Sequence, residues 1–131
     1  MATTANIGIL VPGSFAAAPP ILPECTAFFR RADDLGLYSL RVIDRIFHTV
    51  DVLDPMALLT CATVVTSRVR LGTSVLLFAL RNLVLMAKTT ATLAYLSGGH
   101  LTLRVFLGGR DNEFEPLGAR CSNRSAGCAR T

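Results

Sequence analysis

Asn6-Ile-Gly-Ile-Leu-Val11 is the first of four strand-like segments that recur about every 31–32 residues. The others are Tyr38-Ser-Leu-Arg-Val-Ile43, Val69-Arg-Leu-Gly-Thr-Ser-Val75 and Leu101-Thr-Leu-Arg-Val-Phe106. A helix-like stretch follows each of the first three. The order strand–helix–strand–helix–strand–helix–strand is that of a parallel α/β sheet with helical crossovers. No fourth helical pattern follows the fourth strand, so the expectation is a repeating α/β fold that starts and stops about halfway.

Length and composition agree. The chain has 131 residues, of which 51% are hydrophobic, enough for one domain with buried parallel strands. A closed eight-fold β/α barrel needs about 250 residues, so this chain does not close one alone. A small doubly wound sheet fits the length equally well.

The net charge is +4, but three of the 13 basic residues (Arg120, Arg124, Arg130) and none of the 9 acidic ones lie in 119–131. Residues 1–118 therefore carry a net +1. Such a body has no basic face for nucleic acid, and the tail lacks the aromatic residues that stack on bases. Cys25, Cys61, Cys121 and Cys128 form no Cys-x-x-Cys pair, and neither His48 nor His100 stands at ligand spacing from them, so no metal site is expected. No apolar run reaches 18 residues and no basic-then-apolar leader opens the chain, so neither a membrane span nor secretion is expected. The expected setting is a reducing cytoplasm.

Along the chain, Pro12-Gly13 ends the first strand and Ser14–Pro20 reads as an irregular loop. Helix one starts near Pro23, uses Phe28, Ala32 and Leu35 as its apolar positions, and stops at Gly36. Asp54-Pro55 reads as N-cap and first helical residue of helix two, with Ala57, Leu58 and Cys61 on one face. Gly72 sits inside strand three, which weakens a strand unless something must approach its backbone closely. Helix three covers roughly 83–96 and stops at Ser97-Gly98-Gly99.

Ligands of parallel α/β folds bind beyond the carboxyl ends of the strands. The polar residues there are Asp44-Arg45, Thr73-Ser74 and the run from Gly108 to Asn112. A Gly-Gly at such a position exposes backbone N–H groups suited to a phosphate or a carbonyl-rich ring. Local roles are equally open for all three: loop ordering by Asp44, local hydrogen bonding by Thr73-Ser74, a turn at Gly108-Gly109. No nucleophile–base pair or phosphate-loop motif is present, and no catalytic residue is assigned.

Six ordered segments carry a family resemblance: Ile-Gly-Ile-Leu-Val-Pro-Gly (7–13), Ala-Asp-Asp-Leu-Gly-Leu-Tyr-Ser-Leu (32–40), Asp-Pro-Met-Ala-Leu-Leu (54–59), Thr-Ser-Arg-Val-Arg-Leu-Gly-Thr-Ser-Val-Leu (66–76), Leu-Ala-Tyr-Leu-Ser-Gly-Gly-His-Leu-Thr-Leu (93–103) and Glu-Phe-Glu-Pro-Leu-Gly (113–118). Through them the chain resembles the luciferase-like monooxygenases, which include flavin- and coenzyme F420-dependent oxidoreductases. The resemblance implies the N-terminal part of a TIM (β/α)8 barrel over residues 1–118, with FMN or coenzyme F420 at its mouth and a small-molecule substrate. It implies cofactor contacts from Asp44, Thr73, Ser74, Val75, Gly108 and Asn112, and a cis peptide at Ser74–Val75. The sequence departs from the family pattern at Arg41, Arg45, Ala94, His100, Arg104 and Phe106.

Residues 119–131 contain no large apolar side chain and read as a disordered basic tail. Back-translation in a shifted frame permits a family-like continuation, so the reading left open beside an oxidoreductase is a truncated, non-catalytic half-barrel remnant with a frameshift near residue 119. A partial barrel also leaves strand edges and inner side chains such as Ile7, Ile9, Leu71 and Leu103 open, which predicts self-association.

Overall fold

The computed structural model describes residues 5–108. The tail at 119–131, Gly109 and Asn112 lie outside the described residues. The elements run β1 (Gly8–Leu10), β2 (Ser14–Phe15), α1 (Leu22–Asp34), β3 (Ser39–Val42), β4 (Asp51–Val52), α2 (Pro55–Val65), β5 (Arg70–Thr73), β6 (Leu76–Leu77), a 3-10 turn at Phe78–Leu80, α3 (Leu83–Leu96), β7 (Leu101–Thr102) and β8 (Val105–Phe106).

The four main strands form one parallel sheet in the order β1-β3-β5-β7. Each crossover moves one strand in the same direction. Right-handed crossovers then put every helix on one face, and α1, α2 and α3 do pack side by side behind the sheet. A doubly wound sheet would reverse direction and place helices on both faces, so that alternative is excluded. The architecture is a partial TIM (β/α)8 barrel.

The helix stops follow from backbone chemistry. Gly36 takes φ +69° after α1, with its N–H on the Asp33 carbonyl and the Leu37 N–H on that of Ala32. Gly98 and Gly99, at φ +62° and +82°, close α3 in the same way. Both are glycine-terminated caps in which left-handed backbone satisfies the last carbonyls. At the other ends, Asp54 caps α2 by accepting from Met56 N and Ala57 N, at 2.9 and 3.1 Å. Asn82 caps α3 through Leu85 N, and Glu24 accepts the Ile21 N–H at the start of α1.

The helix faces are turned slightly from the sequence expectation. In α1 the buried residues are Phe29, Ala32 and Asp33, while Leu35 is exposed. In α2 they are Pro55, Met56, Leu58, Leu59 and Ala62, with Ala57 exposed and Cys61 half-buried. For α2, the neighbouring helices α1 and α3 on its two flanks widen the stripe beyond what one apolar face predicts.

Register decides which strand residues face the helices. Ile9, Leu40, Leu71 and Leu101 are aligned across the sheet, and Leu40 and Leu71 belong to the core with Val42, Val69, Phe29 and Leu59. Leu71 therefore points to the helices, not into the barrel, correcting the expectation. Ile9, aligned with Leu40 and Leu71, likewise does not face the barrel interior; it is 39% exposed on the outermost strand, and Ile7 just before that strand is 65% exposed. The inner wall is instead the row Leu10, Arg41, Gly72 and Thr102.

Two irregularities shape the mouth. The loop after β1 is not wholly irregular: β2 pairs antiparallel with β4, Ser14 opposite Val52. The third and fourth predicted strands each split in two, and β6 pairs with β8 beyond the break.

Candidate functional site

Gly72 is the start of the site. A Cβ there would overlap the Thr102 carbonyl and crowd the Arg41 guanidinium, 3.2 Å away. The missing side chain is thus explained by close approach from both sides. Arg41 lies along the inner wall and points a guanidinium nitrogen at the Thr73 carbonyl, 3.4 Å away.

Thr73 follows and is fully buried. Its hydroxyl donates to the Arg104 carbonyl at 2.9 Å and accepts the Arg104 N–H at 3.0 Å. One side chain thereby does what a backbone pair does in a regular ladder. This substitution is why β5 and β7 each break at this level. The Ser74–Val75 peptide is cis. Ser74 N donates to Val42 O at 2.7 Å, Val75 O accepts from Asp44 N at 3.1 Å, and Leu76 N donates to Arg104 O at 2.8 Å. The segment leaving β5 is tied to both neighbouring strands, with the Ser74 and Val75 side chains half-buried.

Asp44, just beyond β3, meets this segment through its backbone, but its carboxylate does not face an open mouth. It accepts Leu77 N at 2.9 Å, Arg81 Nε at 3.1 Å and Arg81 Nη2 at 2.7 Å, and none of its side chain is accessible. Arg81 Nη2 also reaches Asp54 Oδ2 at 3.0 Å. Burial works against the Arg81 charge, but the two carboxylates outweigh it and raise its pKa above the ordinary arginine value. Arg81 is the site residue that sequence reasoning missed. Its signal was available: an arginine directly before the Asn82 cap, 37 residues after a strand-end aspartate, interrupting an apolar run.

Gly108 is buried and left-handed, φ +85°, at the end of the described residues. Phe106 is 53% exposed. The structure therefore brings Asp44, Thr73, Ser74 and Val75 together through hydrogen bonds. An apolar hollow of about 200 Å³ is lined by residues that include Val11, Pro12, Phe15, Cys25, Phe28 and Leu58. None of the predicted site residues lines it. No cluster of His, Cys, Asp and Glu suited to a metal occurs among the described residues, and no helix there is long and apolar enough to cross a membrane.

No curated protein matches the chain. Among solved structures, the oxygenating constituent of 3,6-diketocamphane monooxygenase from Pseudomonas putida, in complex with FMN, superposes with a TM-score of 0.82 at 15% identity, over 93% of this chain and 35% of that one. Monooxygenase RslO1 from Streptomyces bottropensis gives 0.74 at 25% identity, over 81% and 33%. The coenzyme F420-dependent tetrahydromethanopterin reductase from Methanopyrus kandleri gives 0.67 at 23% identity, over 88% and 30%. The chain thus spans about a third of the length of these proteins. A family model for luciferase-like monooxygenases matches residues 6–131, and with this partial barrel beneath it the chain belongs to the luciferase-like monooxygenase family.

Proposed function

We propose that the chain supplies the ring-facing wall of an oxidoreductase site for a reduced flavin or deazaflavin, FMN or coenzyme F420. The observation that carries the reading is the placement of Thr73–Val75. This segment leaves the sheet at its carboxyl end and is hydrogen-bonded to Val42, Asp44 and Arg104 on both sides. Backbone fixed this way is suited to hold a planar ring at one height. The solved neighbours that carry FMN or depend on coenzyme F420 support the cofactor class.

The residues present fit a ring. Ser74 and Val75 offer backbone and small side chains, and Gly13 and Gly108 add no side chain beyond the strands. When bound, the cofactor would supply hydride or oxygen chemistry. In this reading Ser74, Val75 and Gly108 contact it, Thr73 locks the segment, and Asp44 acts on the segment rather than on the ring. Arg81 is held by two carboxylates and is not available to a phosphate.

A second reading is binding without turnover. It is favoured by the complete enclosure of Asp44, which leaves that carboxylate unable to move a proton at the mouth. Titrating the chain with FMN and with coenzyme F420, followed by fluorescence quenching, tests both. Saturable quenching by either, with turnover of the reduced form, supports the first reading; quenching without turnover supports the second. No saturable quenching by either ligand overturns the proposal.

A further inference from the structure

We propose that Arg81 is a positioning residue: its guanidinium fixes the height of the ring-facing segment by tying it to the loops that follow β3 and precede α2. The inference deepens the reading above and rests on it.

The geometry is a single connected network. Asp44 holds the segment after β5 at two points, through its own N–H to Val75 O at 3.1 Å and through Oδ2 to Leu77 N at 2.9 Å. Arg81 holds Asp44 at two points, Nε on Oδ2 and Nη2 on Oδ1. This two-point grip fixes the plane of the carboxylate as well as its position. The same Nη2 then reaches Asp54 Oδ2 at 3.0 Å, while Asp54 Oδ1 caps α2. Asp54 is itself half-exposed and anchored to the helix start. The chain of contacts therefore runs from a rigid helix terminus, through Arg81 and Asp44, to Val75 and Leu77.

Charge explains why the arginine is needed. The Asp44 side chain has no exposed surface. Without Arg81 an enclosed carboxylate would keep one backbone N–H donor. A carboxylate in that state turns toward water. That movement releases the Leu77 N–H and loosens Val75. A lysine would restore the charge but not the two-point grip.

The test uses the chain with Arg81→Gln, Arg81→Lys and Asp54→Asn. Asparagine still caps a helix, so the last variant removes the outer charge of the bridge while keeping α2 capped. Amide exchange in the ligand-free chain reads the clamp directly. Arg81→Gln should speed exchange at Leu76 and Leu77 about tenfold or more, leave the amides of α1 protected, and be partly rescued by Arg81→Lys. FMN and coenzyme F420 titrations read the positioning. Arg81→Gln should weaken ring binding about tenfold, and Asp54→Asn by a smaller factor with an unchanged melting curve. Wild-type exchange at Leu76 and Leu77 in Arg81→Gln overturns the inference. So does faster exchange there with unchanged ring affinity, which would make the bridge purely structural. If the wild-type chain binds neither ligand, the proposed function falls and this inference falls with it. Wild-type binding that the variants leave intact removes the inference alone.

Discussion

The Asp44 carboxylate and the Arg81 guanidinium meet at 2.7 Å, and the aspartate side chain has no solvent-exposed surface. Removing one partner of a buried pair costs about 3–5 kcal/mol when the other is left uncompensated; here Arg81 keeps Asp54 at 3.0 Å when Asp44 is lost. Asp44→Ala should therefore destabilise the chain by an amount at the lower end of that range in urea unfolding, and Asp44→Asn by less, since its amide oxygen still accepts from Leu77. A loss below about 1 kcal/mol for Asp44→Ala would show that the pair is not buried as described.

Asp33 sets an acid limit. Its carboxylate ties the end of α1 to the entrance of β5 by accepting Val69 N at 2.8 Å, Arg68 N at 3.0 Å and Ser67 N at 3.1 Å. Burial alone would raise its pKa, but the Val69, Ser67 and Arg68 N–H donors and the Arg68 charge outweigh it and bring it below the ordinary aspartate value. A folded pKa below the unfolded one means the stabilisation is complete above the unfolded value and is lost as pH falls through the folded value. Urea midpoints should therefore drop from about pH 5 downward, and the drop should be shallower in Asp33→Asn. Identical pH curves for the two would refute the assignment.

The scaffold was legible because its signals are local. Asp54-Pro55 starts α2 where expected, and Gly36 and Gly98-Gly99 end their helices by positive φ. The strand recurrence gave the parallel order. What the sequence hid depends on partners distant in the chain. Thr73 reads as a strand residue, yet its hydroxyl replaces a backbone pair with Arg104, 31 residues away. Leu71 reads equally well on either sheet face, and only the register with Leu40 assigns it to the helices. Asp44 reads as a mouth residue until Arg81 encloses it.

Gly72 should tolerate no side chain. A Cβ would meet the Thr102 carbonyl, a backbone atom of the edge strand β7. Forcing atoms into filled space costs about 1–3 kcal/mol. Gly72→Ala should lower stability by that much, and amide exchange at Leu71, which donates to His100 O at 2.8 Å, should quicken as β7 is pushed off. An unchanged Leu71 exchange rate would place the strain elsewhere.

Cys25 should be a sluggish thiol. Burial, then the neighbouring Cys61 and Glu24, raise its pKa above the ordinary thiol value. The nucleophile is the thiolate, so at neutral pH Cys25 should alkylate more slowly in the folded chain than in urea. Peptide mapping after iodoacetamide treatment reads the two rates. Equal rates would mean the thiol is open to solvent.

This chain should also self-associate. The main sheet presents β1 and β7 as its two outer strands among the described residues. Beside β1 stand Ile7, Ile9 and Leu10, at 65%, 39% and 52% exposure, and at the far side Val84, Leu85, Val105 and Phe106 each exceed 50%. Unpaired parallel edges next to exposed aliphatic groups favour further strand pairing. The inner wall contributes less than the sequence suggested, because Leu71 is turned away and Arg41 occupies part of it. Association should therefore proceed through the sheet edges. Light scattering behind size-exclusion chromatography at micromolar concentration should give a mass above 14.0 kDa. Lysine at Ile7 and Ile9 should lower it by charging the β1 edge. A wild-type monomer that melts cooperatively and binds no hydrophobic dye would show that these edges are sealed within one copy.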